Sequence, residues 1–332
     1  YQSLILILLI LGLAAFLRLW QLDSVPPGLY PDVAMNANDA LDTLKTGQFK
    51  VFYPENNGRE GLFIWLIALS FKIFGATVWS LRLVGALIGV LTVLGFDLMY
   101  NEVLRNAGNP NSHNRVGKPI SGEKIALLAS FFLAVSFWHI NFSRFGFRAI
   151  LVPFILTWSF YFLFKGIHAN WVRQYTLPYF ILAGFFFGLG FYTYIAFRAA
   201  VLILGIVLLL EIWRYWKTKR GGSPLPPSFW QQWILMFLII ILIVLPLGMY
   251  FYEHSQDFIG RSANVSVFNA PRPWLELSKS ALLTLGMFNF KGDFNWRHNF
   301  AGSPMLPWPV GILFVLGLVL TIFQCWKSDI LQ

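Results

Sequence analysis

The chain has 332 residues, of which 57% are hydrophobic and 12% charged, and its net charge is +10. Soluble domains carry about 25% charged residues, so composition argues against a water-soluble globule, a disordered chain and a nucleic-acid binder. The 25 basic residues lie among long apolar runs and read as membrane topology signals.

The first apolar run, 4–20, is long enough to cross the ~30 Å hydrocarbon core. It lacks a basic start and a small-residue cleavage site, so it reads as a span and not as a signal peptide. The chain begins at Tyr1, almost inside this helix, as though cut there. Next comes Leu-Asp-Ser-Val-Pro-Pro-Gly-Leu-Tyr-Pro-Asp-Val-Ala (22–34), where three prolines and a glycine predict a rigid turn. Asp32 then opens the amphipathic segment Ala34 to Leu44, either as a helix N-cap or as a catalytic carboxylate on a rigid mount above the bilayer. Glu60 sits in Asn-Asn-Gly-Arg-Glu-Gly (56–61). It either answers the dipole of the helix that follows, with Arg59 as a surface partner, or is a second functional carboxylate. The run 62–74 holds 13 residues, including Lys72. At 1.5 Å per residue it reaches ~20 Å, so it predicts an interfacial or re-entrant helix.

Further spans are expected at about 79–100, 124–141, 150–166, 176–194, 197–214, 231–251 and 308–326, eight in all. Arg105, Arg115 and Lys118, then Arg173, then Lys217, Lys219 and Arg220, and finally Lys327 fall on one face if 62–74 does not cross. That arrangement obeys the positive-inside rule. The outer face then carries 21–78, 142–149, 195–196 and 252–307, and the two long segments hold most of the polar chemistry. Loop 142–149 contains Arg144 and Arg148 against the charge trend. They suit an anion through bidentate bonds, or they snorkel to lipid headgroups. Arg82, at the outer start of its span, is a similar candidate. The last long loop gathers Asp293, Asn295, Arg297, His298 and Asn299 among aromatic residues, a mixture that suits sugar recognition or an ordered cap on the bundle.

Other chemistry leaves no trace. The chain has no Gly-rich phosphate loop, no HExxH, no clustered histidines for zinc and no Gly-x-Ser-x-Gly. The one cysteine, Cys325, excludes an intrachain disulfide and a cysteine-based metal site. Asp97 is the clearest acid within a span, and His139 reads as structural.

The ordered motifs Pro-Pro-Gly-Leu-Tyr-Pro-Asp (26–32), Arg-Glu-Gly-Leu-Phe (59–63), Trp-Ser-Leu-Arg-Leu (79–83), Ser-Arg-Phe (143–145) and Gly-Asp-Phe-Asn-Trp-Arg-His-Asn (292–299) resemble the C-type (GT-C) membrane glycosyltransferases. The branch resembled is that of protein O-mannosyltransferases and lipid A aminoarabinose transferases. The resemblance implies a single all-α module over 1–332, integral to the plasma membrane, with a C-terminal region missing. It implies transfer of a sugar from a polyprenyl-phosphate donor to a protein, lipid or polysaccharide acceptor on the extracytoplasmic side, with inversion. Asp32 carries over as the base and Glu60 as the second acid, with a divalent metal ion possible at both. Arg144, Arg148 and Arg82 are the candidates for the donor phosphate. The loop holding Asp293, Asn295, Arg297, His298 and Asn299 carries over as a lid. Three departures stand out: Val33 follows the aspartate where mannosyltransferases have glutamate, Gly61 stands where aminoarabinose transferases have lysine, and no acid precedes Pro153. The competing classes are a lipid or lipid-linked-sugar flippase and a non-catalytic binding subunit.

Overall fold

The computed structural model describes residues 2–107, 122–171, 176–218 and 227–330. Its helices are α1 (Gln2–Leu19), α2 (Pro31–Thr46), α3 (Leu62–Phe74), α4 (Val78–Ala107), α5 (Gly122–Val135), α6 (Phe137–Phe145) and α7 (Leu151–Trp171). They continue as α8 (Leu177–Gly190), α9 (Ala200–Thr218), α10 (Pro227–Glu253), α11 (Ser255–Val265), α12 (Pro273–Gly286) and α13 (Trp308–Ile330). A small antiparallel hairpin, β1 (Phe52–Tyr53) and β2 (Arg59–Glu60), interrupts this all-α pattern within the first outer segment. Arg115, Lys118, Arg173, Lys219 and Arg220, expected on the inner face, lie outside the described residues.

The molecule has the build of a helical membrane protein. Five helical segments among the described residues are long and apolar enough to cross a bilayer: α1, α4, α7 and α9 with their preceding turns, and α10. A sixth arises if α5 and α6, bent by 54° at Ser136, form one span. The expected continuous span 124–141 is therefore broken. The break exposes the carbonyl of Ala134, which accepts from the Arg18 guanidinium of α1 at 3.0 Å. Insertion of a side chain at an interrupted backbone ladder is a known source of helix kinks. The expected 176–194 ends early as well, because α8 stops at Gly190, where the Phe197 ring occupies the space a Cβ would need. The outer connection after it is consequently 191–199 and not the expected two residues. The short run 62–74 is helix α3 with those bounds.

Two apolar cores position the site. One joins α2, α3, α4 and α7 through Val33, Ala40, Phe63, Ile67, Leu81 and Leu151. The other joins α7 to α10 through Leu163, Phe180, Phe187, Leu204 and Trp233. Two Gly-x-x-x-Gly steps let helices approach closely, as in membrane bundles where small residues stand at crossings. A Cβ at Gly85 of α4 would lie 2.6 Å from the Ser143 carbonyl oxygen of α6, and one at Gly184 of α8 would lie 2.7 Å from that of Met236 in α10. Gly184→Ala should therefore push α8 and α10 apart and lower the Tm of the detergent-purified protein, at a cost of about 1–3 kcal/mol. Gly205→Ala, with nothing within 4 Å of the added carbon, should stay within ~0.5 kcal/mol of wild type. Equal thermal melts for the two variants would contradict the close crossing.

Candidate active site

The site is built from a loop that two arginines hold in place. Between α1 and α2 the chain has little regular structure, so its carbonyls need donors. Arg82 of α4 donates to the carbonyls of Leu22 at 3.0 Å, Asp23 at 3.3 Å and Pro26 at 2.7 Å, and also to Gly28. Arg144 of α6 donates to Leu17 at 2.9 Å, Trp20 at 2.6 Å, Gln21 at 3.3 Å and Val25 at 2.9 Å. Both guanidinium groups are thus engaged in fixing the loop. Neither lines the cavity described below.

This loop delivers the chain to Pro31, the first residue of α2. Tyr30 before it is extended (φ −72°, ψ 146°), as proline requires of its predecessor. The helix cap is Tyr30, with no side-chain bond, so the N-cap alternative for Asp32 does not hold. Asp32 instead lies in the first turn, where the helix dipole favours a carboxylate. Its Oδ1 accepts from Asn56 at 3.0 Å and its Oδ2 from Arg297 at 2.5 Å. Its side chain is 41% exposed. Burial raises the Asp32 pKa, but the Asn56 and Arg297 hydrogen bonds, with the charges of Arg297 and Arg148, outweigh it and hold the group below its usual value.

Asn56 reaches Asp32 because of the hairpin turn. Asn56, Asn57 and Gly58 have φ of 51°, 62° and 77°, a left-handed run that asparagine and glycine tolerate best. The hairpin is anchored by Phe52, whose ring packs on Tyr250 and Phe251 of α10. Its second strand is buried and carries two charges. Arg59 pairs with Asp39 of α2 and donates to Asn36 Oδ1 at 3.1 Å. Glu60 Oε2 meets Arg148 at 3.4 Å, with both side chains nearly buried. Arg59 is therefore no surface partner of Glu60, and Glu60 answers a guanidinium and not the start of α3. The Arg148 guanidinium also lies over the Tyr194 ring, 5.3 Å from its centre.

These groups enclose a cavity of about 180 Å³. Asp32, Asn36, Asn56, Asn57 and Arg59 come from the first outer segment, Phe147 and Arg148 from the turn before α7, Tyr194 from the turn after α8, and Arg297 from the last loop. Three of the segments expected to share one face, 21–78, 142–149 and 252–307, thus meet at one place, joined by Tyr194 from the expected span 176–194. Asp39 and Glu60 stand behind the wall while their arginines line it. The positive ends of two ion pairs therefore face inward. Arg59 is 2% exposed and its Nη2 has no hydrogen-bond partner among the described residues.

The loop before α13 contributes Arg297, held between the rings of Tyr30 at 4.4 Å and Phe147 at 5.1 Å. Its Nε donates to His298 Nε2 at 3.1 Å. That nitrogen is thereby an acceptor, so Nδ1 carries the proton and donates to Asp293 at 2.6 Å. Burial raises the pKa of Asp293, yet the Asn295 amide and His298 bring it below its usual value. Asn295 accepts from the Arg297 amide at 3.0 Å, and Asn299 donates to the Ser303 carbonyl. Asp293, Asn295, His298 and Asn299 shape the loop and aim Arg297, the one member of this group that lines the cavity.

A divalent ion does not fit the donors present. Asp32 and Glu60 are each engaged by arginine, and no group of three His, Cys, Asp or Glu side chains converges among the described residues. Asn36, Asp39 and Tyr194 were not among the candidates read from sequence, and Arg59 was read there only as a surface partner of Glu60. The signal for the first two was available, since they share the buried face of α2 with Val33, Ala40 and Thr43. An apolar groove of about 320 Å³ lies beside α3, walled by Leu66, Leu69 and Ile73 with Leu83, Leu87 and Leu91 of α4 and Phe154 of α7.

If Arg297 sets the charge state of Asp32, Arg297→Gln removes a hydrogen bond and a charge and leaves burial to act with less opposition. The Asp32 pKa should then rise. Titration of its carboxyl stretch by infrared difference spectroscopy, assigned with Asp32→Asn, should show protonation at higher pH in the variant. Coincident titrations would refute the pairing. Because the folded-state pKa is depressed, the stabilisation Asp32 supplies is present above its unfolded pKa and lost as pH falls through the folded one.

No protein-family model and no solved structure matches the chain. A protein of Aquifex aeolicus (strain VF5), described only as uncharacterized, is similar to it: 29% identical over 136 residues, 40% of this chain and 24% of that protein. The matched stretch spans about a quarter of that relative's length.

Proposed function

We propose that the chain is the membrane module of an inverting glycosyltransferase that moves a sugar from a polyprenyl-phosphate donor to an acceptor on the extracytoplasmic side of the plasma membrane. The observation that carries this reading is the cavity itself, where a carboxylate in the first turn of a helix faces three guanidinium groups. Such a set offers one base and a cluster of cations. That is what transfer from a phosphate leaving group to a hydroxyl acceptor requires.

Asp32 accepts the acceptor hydroxyl proton as that oxygen attacks the anomeric carbon. The bond from this carbon to the phosphate oxygen breaks, and its electron pair leaves with the polyprenyl phosphate. Arg59, Arg148 and Arg297 take up the charge that grows there. For Asp32 to act, Arg297 moves from the carboxylate to the phosphate. Glu60 holds Arg148, and Asp39 holds Arg59. The apolar groove beside α3 receives the polyprenyl tail. In this reading α3 does not cross, α5 with α6 makes one bent span, α8 crosses together with the turn at 191–194 that continues it, and α13 crosses as the last span. The count returns to eight, with the basic inner loops on the cytoplasmic side.

The test is turnover by the purified protein with labelled polyprenyl-phosphate sugars and a hydroxyl acceptor panel, followed as release of polyprenyl phosphate. Asp32→Asn should lose about 10²–10⁴-fold in kcat with an unchanged melt. Arg59→Gln should lose about 10²–10³-fold in kcat/KM, whereas Arg82→Gln should act mainly by lowering Tm. Full activity of Asp32→Asn would remove it as the base. Donor binding without release from any donor and acceptor pair would favour a lipid-linked-sugar binding subunit.

A further inference from the structure

Helix α12 lies in the connection between α10, which ends at Glu253, and α13, which begins at Trp308. It has 14 residues, about 21 Å at 1.5 Å per residue, and cannot cross the bilayer. None of its residues is buried. At about 100° per residue, Trp274, Leu275, Leu277, Leu282 and Leu285 fall on one side of the helix. Glu276, Lys279, Ser280 and Thr284 fall on the other. Ser278, on the apolar side, donates its hydroxyl to the Trp274 carbonyl at 2.8 Å, so that side exposes little unmet polarity. Leu283 alone breaks the division.

What covers this face is indicated by how the helix is tied. Immediately after α12, the Met287 carbonyl accepts from the Met305 amide at 3.0 Å and the Phe288 carbonyl from the Leu306 amide at 3.1 Å. Phe288 also packs on Phe314 of α13, with ring centres 5.5 Å apart. The C-terminal end of α12 is thus pinned at the first turns of an apolar helix whose leading Trp308 is exposed. Tryptophan at that position is characteristic of the membrane–water boundary. The leucines of α12 are as open as those on helices that face lipid: Leu282 and Leu285 are 70% and 72% exposed, against 72% for Leu202 in α9 and 65% for Leu242 in α10. A short amphipathic helix with tryptophan on its apolar side and lysine on the other, held at that level, suits the headgroup–acyl boundary.

We infer that α12 lies in the outer leaflet of the bilayer, apolar side down, and ties the loop carrying Arg297 to the membrane surface. The occupant of its open face is lipid. This does not depend on the reaction assigned to the cavity.

Spin labels on the full chain test it. Cys325→Ser provides the background, and single cysteines replace Leu275, Leu282 and Leu285 on one side and Lys279 and Ser280 on the other. The protein is placed in nanodiscs of phosphatidylcholine and phosphatidylglycerol. Leu242→Cys sets the lipid-facing standard and Asp42→Cys the aqueous one. The ratio of collision with oxygen to collision with a nickel chelate should be about threefold higher at the three leucine positions than at Lys279 and Ser280, and should approach the Leu242 value. A ratio at Leu282 and Leu285 equal to that at Asp42 would overturn the proposal. Low access to both reagents there, the mark of a protein-covered face, would overturn it as well. Five sites are read separately, so one poorly folded variant leaves the helical periodicity measurable.

Discussion

A guanidinium withdrawn from water must find acceptors or a countercharge. Arg18, Arg59, Arg82, Arg144 and Arg148 are all buried, at the loop-bearing end of an apolar bundle. Each meets that requirement differently, and the differences organise the structure. Arg18 meets it with the carbonyls of Ala14 and Ala134 and with His139, which joins α1 to the break between α5 and α6. Arg82 and Arg144 meet it with backbone carbonyls between Leu17 and Gly28, which gives an irregular loop a fixed path. Arg59 and Arg148 meet it with the carboxylates of Asp39 and Glu60 and with the carbonyls of Glu55 and Gly58, and both line the cavity.

The division of roles follows from what surrounds each arginine. A segment interrupted by Pro26, Pro27 and Pro31 cannot satisfy its own carbonyls, so the arginines nearest to it become structural. In the β1–β2 hairpin and in α2 the backbone pairs largely with itself, and the turn carbonyls of Glu55 and Gly58 accept from Arg59 at 3.3 Å and Arg148 at 3.4 Å. Arg59 and Arg148 add the carboxylates of Asp39 and Glu60 as partners, and Arg59 Nη2 has no hydrogen-bond partner among the described residues. Ion pairs of this kind contribute little net stability when buried, whereas removing one partner leaves a costly charge behind. Their worth here lies in holding guanidinium groups at fixed points around Asp32. Arg297 differs because it arrives from a separate loop and covers the carboxylate itself.

Much of this arrangement was legible in the sequence, and the reasons are physical. Length alone set 62–74 apart as a helix of 13 residues, ~20 Å against a ~30 Å hydrocarbon core, and α3 has those bounds. Charge bias grouped the outer segments, and residues from those segments meet at the cavity. Asp32, Arg148 and Arg297 were each visible as charges set against an apolar background. Charge type did not reveal partner choice. Arg82, Arg144 and Arg148 look alike in sequence, but Arg82 and Arg144 meet backbone carbonyls of the loop before α2, whereas Arg148 meets Glu60 together with the Gly58 carbonyl. Asp39 and Arg59 are separated by 20 positions, and a contact across a turn of left-handed asparagines has no periodic signature. The bend at Ser136 was equally hidden, because hydropathy averages across it. Asn36 and Asp39 on the inward face of α2 were the missed signal, polar residues where helical spacing demands apolar ones.

In the proposed reading Arg59 and Arg148 present an anion site beside Asp32, while Arg82 and Arg144 hold the loop. Equilibrium binding of radiolabelled farnesyl phosphate to the purified protein tests this most directly, because it requires no knowledge of the sugar or the acceptor. Saturable binding should weaken by about tenfold or more, ~1.4 kcal/mol, in Arg59→Gln and in Arg148→Gln, with Arg82→Gln retaining wild-type affinity in its folded fraction. Unchanged affinity in the first two variants, or loss confined to Arg82→Gln, would contradict it.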